Sequence, residues 1–85
     1  MYKIFTANKK TEKILQEYIS QRQDIKNKLD LLKINPRKFN GAHPLHGRLK
    51  GKWACWFGLN IRVIYSINDS KEIIIIEAAG THKIY

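Results

Sequence analysis

Hydrophobic and polar positions in the first half of the chain follow two different periods. Aromatic and β-branched residues crowd residues 2–5, which predicts a short first strand. From residue 9 to about residue 20, and again over residues 21–34, apolar side chains recur at helical spacing. Asn35 and Pro36 end the second pattern. With almost no linker between them, the two segments are expected to form an antiparallel helical hairpin.

The second half of the chain has the pattern of strands. Residues 53–59, 61–67 and 72–78 are rich in β-branched and aromatic side chains and are separated by short turns, so they should pair as an antiparallel meander. The apolar stripes of the two helices need such a sheet to cover. The pattern therefore predicts an α+β fold in which an N-terminal strand and a helical hairpin pack with a small antiparallel sheet, as one domain over residues 1–85.

Residues 36–51, between the helices and the meander, form a basic loop punctuated by glycine and proline. Loops held on a rigid scaffold are where functional residues concentrate. The loop carries several side chains that suit phosphate chemistry: Arg37, Lys38, His43, His46, Arg48 and Lys50.

The net charge of the chain indicates an anionic partner. Sixteen Lys and Arg against seven Asp and Glu give a formal charge of +9, and the positive side chains repel one another unless an anionic partner offsets them. Nucleic acid is the commonest such partner, and an acidic protein or a membrane surface comes next. A soluble basic domain without a polyanionic ligand is the plain alternative.

The other compositional signals favour the cytoplasm. Cys55 is the only cysteine, so no internal disulfide forms, as is typical of reducing compartments. The N-terminus has no apolar stretch of signal-peptide length, and the longest aliphatic run, residues 73–76, is far too short to span a bilayer. Neither secretion nor membrane insertion is expected.

RNA cleavage is a reaction that these basic and histidine side chains could catalyse, because the ribose 2′-OH is itself the nucleophile. The protein then needs a base, an acid and fixed positive charge, without a metal or cofactor. His43 and His82 are candidates for proton transfer, although each is equally compatible with a solvated histidine, which is the favoured interpretation for His46. No metal site is expected, because His43 and His46 lack two further ligands at a recognisable spacing. No phosphate-binding glycine motif is present either.

Several other residues allow two interpretations each. Arg62, inside an apolar strand, should face water, a phosphate, or a carboxylate such as Glu72 or Glu77. Lys50 and Lys52 either contact phosphate or deter edge pairing. Tyr85 either stacks on a base or packs into the core. For both tryptophans, Trp53 and Trp56, core packing is expected.

With these residues in view, the order of elements resembles the RelE/ParE superfamily of toxin-antitoxin toxins. The most specific stretch is HPLHGRLKGKWACWFGLNIRVIY, residues 43–65, followed by an aliphatic strand and the terminal GTHKIY. The portion HPL-x-G-x-x-KG is similar to YafQ-like toxins. The resemblance covers essentially the whole chain.

The resemblance implies specific roles. His43 matches a catalytic histidine of YafQ-like toxins and is the candidate general base. Arg62 matches an arginine of RelE-like and YoeB-like members implicated in transition-state stabilisation, His82 a C-terminal catalytic histidine that acts as acid, and Tyr85 a terminal aromatic. Trp56 and Asn60 replace a second histidine and an aspartate of YafQ-like toxins, so the basic charge must come from Arg48, Lys50 or Lys52. His46 is a further candidate for contact with RNA phosphate.

The function implied by the resemblance is that of a ribosome-dependent endoribonuclease. Such toxins enter the A site of the 30S subunit, cut mRNA through 2′-OH attack and are neutralised by a wrapping antitoxin, expected to be acidic. They use no cofactor. A ParE-like inhibitor of DNA gyrase without catalytic activity, and an inactive basic RNA-binding relative, are the alternatives; the histidines of HPL and GTH favour the enzyme.

Overall fold

The computed structural model describes residues 1–39, 41–58 and 60–81. Two helices and a five-stranded sheet confirm the α+β class. The elements follow in the order β1 (Lys3–Thr6), α1 (Lys9–Gln21), α2 (Gln23–Ile34), β2 (His43–Pro44), a short 3₁₀ helix (Gly47–Leu49), β3 (Trp53–Trp56), β4 (Arg62–Asn68) and β5 (Ile73–Gly80). Neither helix in the part of the chain described is long and apolar enough to cross a membrane.

Local sequence signals set the ends of the helices. The side chain of Asn8 caps α1 by accepting a hydrogen bond of 2.8 Å from the backbone N–H of Thr11. Arg22 alone separates the two helices; its extended backbone ends α1 and begins α2. Asn35 ends α2, because Pro36 disfavours helical backbone at the residue before it.

The sheet has the order β1-β5-β4-β3-β2 and is mixed. The prediction of a purely antiparallel sheet is wrong for β1, which pairs parallel to β5 with Lys3 opposite Ile73. A parallel neighbour needs a long crossover connection, and here the helices and the meander supply it. The predicted meander of β3, β4 and β5 is confirmed, while the two-residue β2 is too short to give a sequence signal.

One face of the sheet is covered by the helices. Leu15 of α1 and Ile25 and Leu32 of α2 pack against it, and Ile25 and Leu32 are fully buried. Burial raises the pKa of the Cys55 thiol to about 12, so this cysteine stays protonated and acts as a small apolar side chain. The sheet contributes these residues to the core: Cys55, Phe57, Ile61, Val63, Tyr65, Ile74, Ile76 and Ala79.

The turn between β3 and β4 begins earlier than the predicted strand end. The strand predicted over residues 53–59 stops at Trp56, and Gly58 has a φ of +108°, which side chains larger than hydrogen rarely tolerate. A Cβ at Gly58 would lie 2.7 Å from Nη1 of Arg22, whose guanidinium also forms two hydrogen bonds with Asp24. The bare glycine therefore lets the inter-helix residue Arg22 pack on this turn.

A polar cluster joins Tyr2 near the N-terminus and Arg37 after α2 to Asp69 in the turn between β4 and β5. Asp69 accepts a hydrogen bond of 2.7 Å from the Tyr2 hydroxyl, and bonds of 3.0 and 2.8 Å from the Arg37 guanidinium. The hydrogen bonds from Arg37, and then from Tyr2, lower the pKa of Asp69 from 3.8 to about 2. The cluster joins three segments that are far apart in sequence.

The cluster predicts a pH-dependent effect of Asp69→Asn. Because the folded pKa of Asp69 lies below its ordinary value, its contribution to stability is fully present above about pH 4 and is lost as the pH falls towards 2. We expect the variant to melt at a lower temperature than the wild type at pH 7, and the difference to shrink below pH 4. Thermal unfolding at pH 7, 4 and 2 measures it.

Asp30→Asn is the matched control for this prediction. Its carboxylate is also exposed, but it pairs at 3.5 Å with Lys33, only three residues away within α2. Such a local pair contributes little, so its loss should change the melting temperature less. A difference for Asp69→Asn that persists undiminished at pH 2 would contradict the role assigned to Asp69.

Candidate active site

The short strand β2 brings His43 to the same side of the sheet as Arg62. His43 lies opposite Ala54, Ala54 opposite Ile64, and Ile64 opposite Ala78. Directly opposed residues point to the same face of a sheet, and side chains alternate along each strand. The face that bears these residues is the one opposite the helices. We call it the open face, because neither helix covers it, and define it by His43, Ala54, Trp56, Arg62, Ile64 and Ala78. Ala54 and Ile64 are nevertheless buried, and the other four are half-buried.

On the open face His43 and Arg62 are in direct contact. The distance between Nε2 of His43 and Nη2 of Arg62 is 3.3 Å, and Nδ1 of His43 lies 2.9 Å from the carbonyl oxygen of Gly41. A guanidinium only donates hydrogen bonds and a carbonyl only accepts them. The tautomer that satisfies both contacts has Nδ1–H donating to Gly41 and the Nε2 lone pair facing Arg62. A general base accepts its proton at such a lone pair.

Trp56 supports the arginine from the neighbouring strand. Trp56 is directly opposite Arg62, and Cζ of Arg62 lies 5.1 Å from the centroid of the indole ring, within range for a cation–π contact. The expectation of core packing is thus wrong for Trp56, whereas Trp53 packs against the core as expected. The difference arises because the two tryptophans are three positions apart along the strand, and an odd offset puts side chains on opposite faces.

Gly41 joins the two halves of this arrangement. Its backbone has a φ of +76°, and a Cβ at this position would lie 3.3 Å from Cδ1 of Trp56. The same residue accepts the hydrogen bond from Nδ1 of His43. A side chain at Gly41 would strain the backbone and push on the indole. Glycine at this position therefore allows His43 and Trp56 to keep the positions described.

The four other predicted cationic contacts differ in their surroundings. His46, Arg48 and Lys50 are exposed on the loop that leads from β2 to β3. Lys52 is only partly exposed and forms an ion pair of 2.5 Å with Glu77 of β5. Its interpretation as a charge that protects a sheet edge is wrong, because β2 covers the edge of β3.

The carboxylates proposed as structural partners for Arg62 bond other groups. Glu72 lies 3.5 Å from the N-terminal amine of Met1, and Glu77 bonds Lys52. The contact between Arg62 and His43 thus arises without an ion pair to either of these residues. His82 and Tyr85, the predicted acid and terminal aromatic, lie outside the described residues.

Three residues of this neighbourhood were not predicted as part of a site: Gly41, Trp56 and Glu77. The resemblance places Trp56 where YafQ-like toxins have a histidine, but its contact with Arg62 follows only from the strand pairing. Gly41 carries the usual signal of a glycine in a loop, but nothing in the sequence indicates that its carbonyl orients His43. Alternation along β5 places Glu77 on the face opposite the buried Ile76, but nothing in the sequence indicates that Glu77 has no opposing residue in β4 or that it pairs with Lys52.

The chemistry available on the open face is that of proton transfer beside a fixed cation. A neutral imidazole acceptor lies next to a guanidinium whose fork geometry matches a phosphate. In the part of the chain described, no group of three or more His, Cys, Asp or Glu side chains is placed to hold a metal ion. An acceptor nitrogen and a guanidinium in contact can take up a proton and bind an anionic group at the same place.

Comparisons with known proteins agree with this fold. No family model matches the sequence, and no curated protein matches it. Among solved structures, YoeB in the YoeB–YefM complex of Staphylococcus aureus has a TM-score of 0.74 at 15% identity, covering 98% of this chain and 99% of the other. YafQ of Escherichia coli has a TM-score of 0.70 at 22% identity, with 96% and 94% covered.

A third similar structure comes from an archaeon. The RelE–RelB complex of Pyrococcus horikoshii contains a chain with a TM-score of 0.73 at 23% identity, covering 99% of this chain and 98% of that one. At these identities the likeness is one of fold over nearly the full length of both chains. The chain thus has the α+β fold that the sequence pattern predicts, in the RelE-like form that the resemblance implies.

Proposed function

We propose that this protein is a toxin of the RelE/ParE superfamily, one that cuts mRNA in the ribosomal A site and is neutralised by an acidic antitoxin. One observation carries the proposal: the Nε2 acceptor of His43 lies 3.3 Å from the Arg62 guanidinium on the face of the sheet that the helices leave open. A base and a phosphate-binding cation are thereby presented together. The RelE-like fold supports the same conclusion.

In the proposed reaction the ribose 2′-OH attacks the adjacent phosphorus. His43 accepts the 2′ proton at Nε2 while the new O2′–P bond forms, and Arg62 stabilises the negative charge that builds up on the non-bridging oxygens. The P–O5′ bond then breaks. His82, the acid implied by the sequence motif, supplies the proton to the departing O5′ oxygen, and Tyr85 stacks on a neighbouring base.

The charge of the protein supports RNA and the ribosome as partners. The chain has a formal charge of +9, and the loop beside the open face contributes the exposed cations Arg48 and Lys50 together with the exposed side chain of His46. Such residues attract the phosphate backbone without reading its sequence. The lysine-rich helices on the other side of the sheet are proposed to contact the ribosome. An acidic antitoxin complements the same positive surface.

Cell-free translation provides the test of this function. We expect the protein, added to translating ribosomes, to produce mRNA fragments that end within the A-site codon, and we expect His82→Ala to suppress them. Primer extension on the recovered mRNA locates the ends. An mRNA with a single 2′-deoxy nucleotide at the mapped position should resist cleavage there, because the nucleophile is missing.

The same preparation distinguishes the alternative functions. Trapped DNA gyrase cleavage complexes without mRNA cuts would replace the proposal with gyrase inhibition. RNA binding without fragments would indicate an inactive relative. Fragments that end at random positions, or that form equally well without ribosomes, would contradict the A-site assignment.

A further inference from the structure

Strand β5 carries one residue more than β4 in the middle of their pairing. Ile76 lies opposite Tyr65 and Ala78 opposite Ile64, so Glu77 has no opposing residue in β4. An extra residue of this kind is a β-bulge, which redirects side chains and is frequent beside functional sites. The bulge lies next to Ala78, a residue of the open face.

The bulge is held in place from the helix side of the sheet. The hydroxyl of Thr11 in α1 donates a hydrogen bond of 3.2 Å to the backbone carbonyl of Glu77. Thr11 is 5% exposed, and its own backbone N–H is fixed by the cap at Asn8. A buried hydroxyl that bonds an irregular strand position fixes that backbone and with it the direction of the Glu77 side chain.

From this position the Glu77 carboxylate reaches across β4 to Lys52. Oε1 of Glu77 and Nζ of Lys52 are 2.5 Å apart, and the side chains are 28% and 30% exposed. Lys52 lies two residues before Ala54, which is the residue opposite His43. Because side chains alternate along a strand, Lys52 lies on the same face as Ala54, so the ion pair lies on the open face beside the pair formed by His43 and Ala54.

We infer that Glu77 neutralises Lys52 and thereby limits the affinity of the open face for RNA. The inference rests on the proposed function and deepens it, because it names a residue that sets how strongly the same site holds a phosphate backbone. A partly desolvated pair is screened less by salt than an exposed pair. The Lys52 ammonium is held by its own carboxylate, and that carboxylate repels any phosphate that approaches.

The inference gives a specific expectation for salt dependence. For single-stranded nucleic acid, each phosphate neutralised by the protein changes the slope of log K against log salt by about 0.7. In Glu77→Gln the lysine is free to bind a phosphate, so binding should tighten severalfold and the slope should steepen by about 0.7. Adding Lys52→Gln to Glu77→Gln should return both values towards those of the wild type.

The experiment measures binding to a 2′-O-methyl RNA oligonucleotide, which cannot be cut because its 2′ oxygen carries no proton. Fluorescence anisotropy at several salt concentrations gives the slope for each variant. Glu72→Gln is the matched control: it removes one negative charge from a carboxylate that bonds the N-terminal amine, so it raises the net charge equally. It should leave the slope unchanged. Thermal unfolding of each variant shows that the fold is kept.

Several outcomes would overturn the inference. If Glu72→Gln bound RNA as tightly as Glu77→Gln, the gain in affinity would come from the net charge of the protein and not from Lys52. If Glu77→Gln bound RNA more weakly than the wild type, the carboxylate would assist binding. A slope reduced by about 0.7 in Lys52→Gln alone would mean that the lysine already contacts phosphate in the wild type. Loss of ribosomal cleavage by Glu77→Gln with unchanged RNA affinity would assign Glu77 to the reaction itself.

The same data keep this inference separate from the proposed function. Binding by the wild type that Glu77→Gln leaves unaltered overturns the inference alone, and the RNA site stands. Absence of binding by both the wild type and Glu77→Gln overturns the inference together with the RNA site.

Discussion

Arg62→Ala is expected to lower the single-turnover rate of mRNA cleavage on ribosomes by roughly 10²–10³-fold, the usual cost of removing a preorganised group that stabilises transition-state charge. The guanidinium lies 3.3 Å from His43 and is supported by the Trp56 ring, so it is already in place before substrate arrives. Rapid quench of ribosomes that carry labelled mRNA, with protein in excess, measures the rate.

Arg62→Lys is the informative companion to this variant. Lysine keeps the positive charge but lacks the planar fork that bonds two phosphate oxygens at once. We expect its rate to fall between those of the wild type and Arg62→Ala. A full rate in Arg62→Ala, in protein whose melting temperature is unchanged, would remove the arginine from the mechanism.

His43→Ala is expected to lower the same rate by about 10²–10⁴-fold, the range for loss of a positioned proton-transfer group. The reason is geometric: Nδ1 lies against the carbonyl of Gly41, which leaves Nε2, in contact with Arg62, as the ring nitrogen that can accept the proton. Single-turnover cleavage over a range of pH measures the effect. The rise in rate that accompanies deprotonation of a base should disappear in the variant.

His46→Ala serves as the control for His43. His46 is exposed on the same loop and its predicted role is to contact phosphate, so its loss should weaken binding more than it slows chemistry. A rate for His43→Ala close to that of the wild type, with the pH dependence retained, would exclude His43 as the base.

Much of the fold follows from local patterns along the sequence. The helical periods, the Asn8 cap and the stop at Pro36 locate α1 and α2 to within two residues, and short turns locate the meander. The pairing partner of β1 cannot be predicted from such local patterns. Nothing in residues 2–5 indicates which strand they pair with, because the parallel pairing with β5 is set by the crossover of the intervening chain and by the burial of Ile4 against the core.

For the candidate site, sequence and resemblance gave the chemical groups but not their arrangement. His43 and Arg62 were singled out as residues, yet their contact depends on β2, whose two residues have no pattern of their own. The contact of Trp56 with Arg62 depends on strand register, and the unpaired position of Glu77 depends on a bulge. These are properties of strand pairing, which a single sequence specifies only through the complete core.

The central claim is that His43 and Arg62 act together on one phosphodiester, and a double-mutant cycle tests it most directly. Single-turnover rates are measured for His43→Ala, Arg62→Ala and the double variant. If the two groups share one transition state, the combined loss should be smaller than the product of the single losses, with a coupling energy of about 1 kcal/mol or more. Losses that simply multiply would contradict the claim.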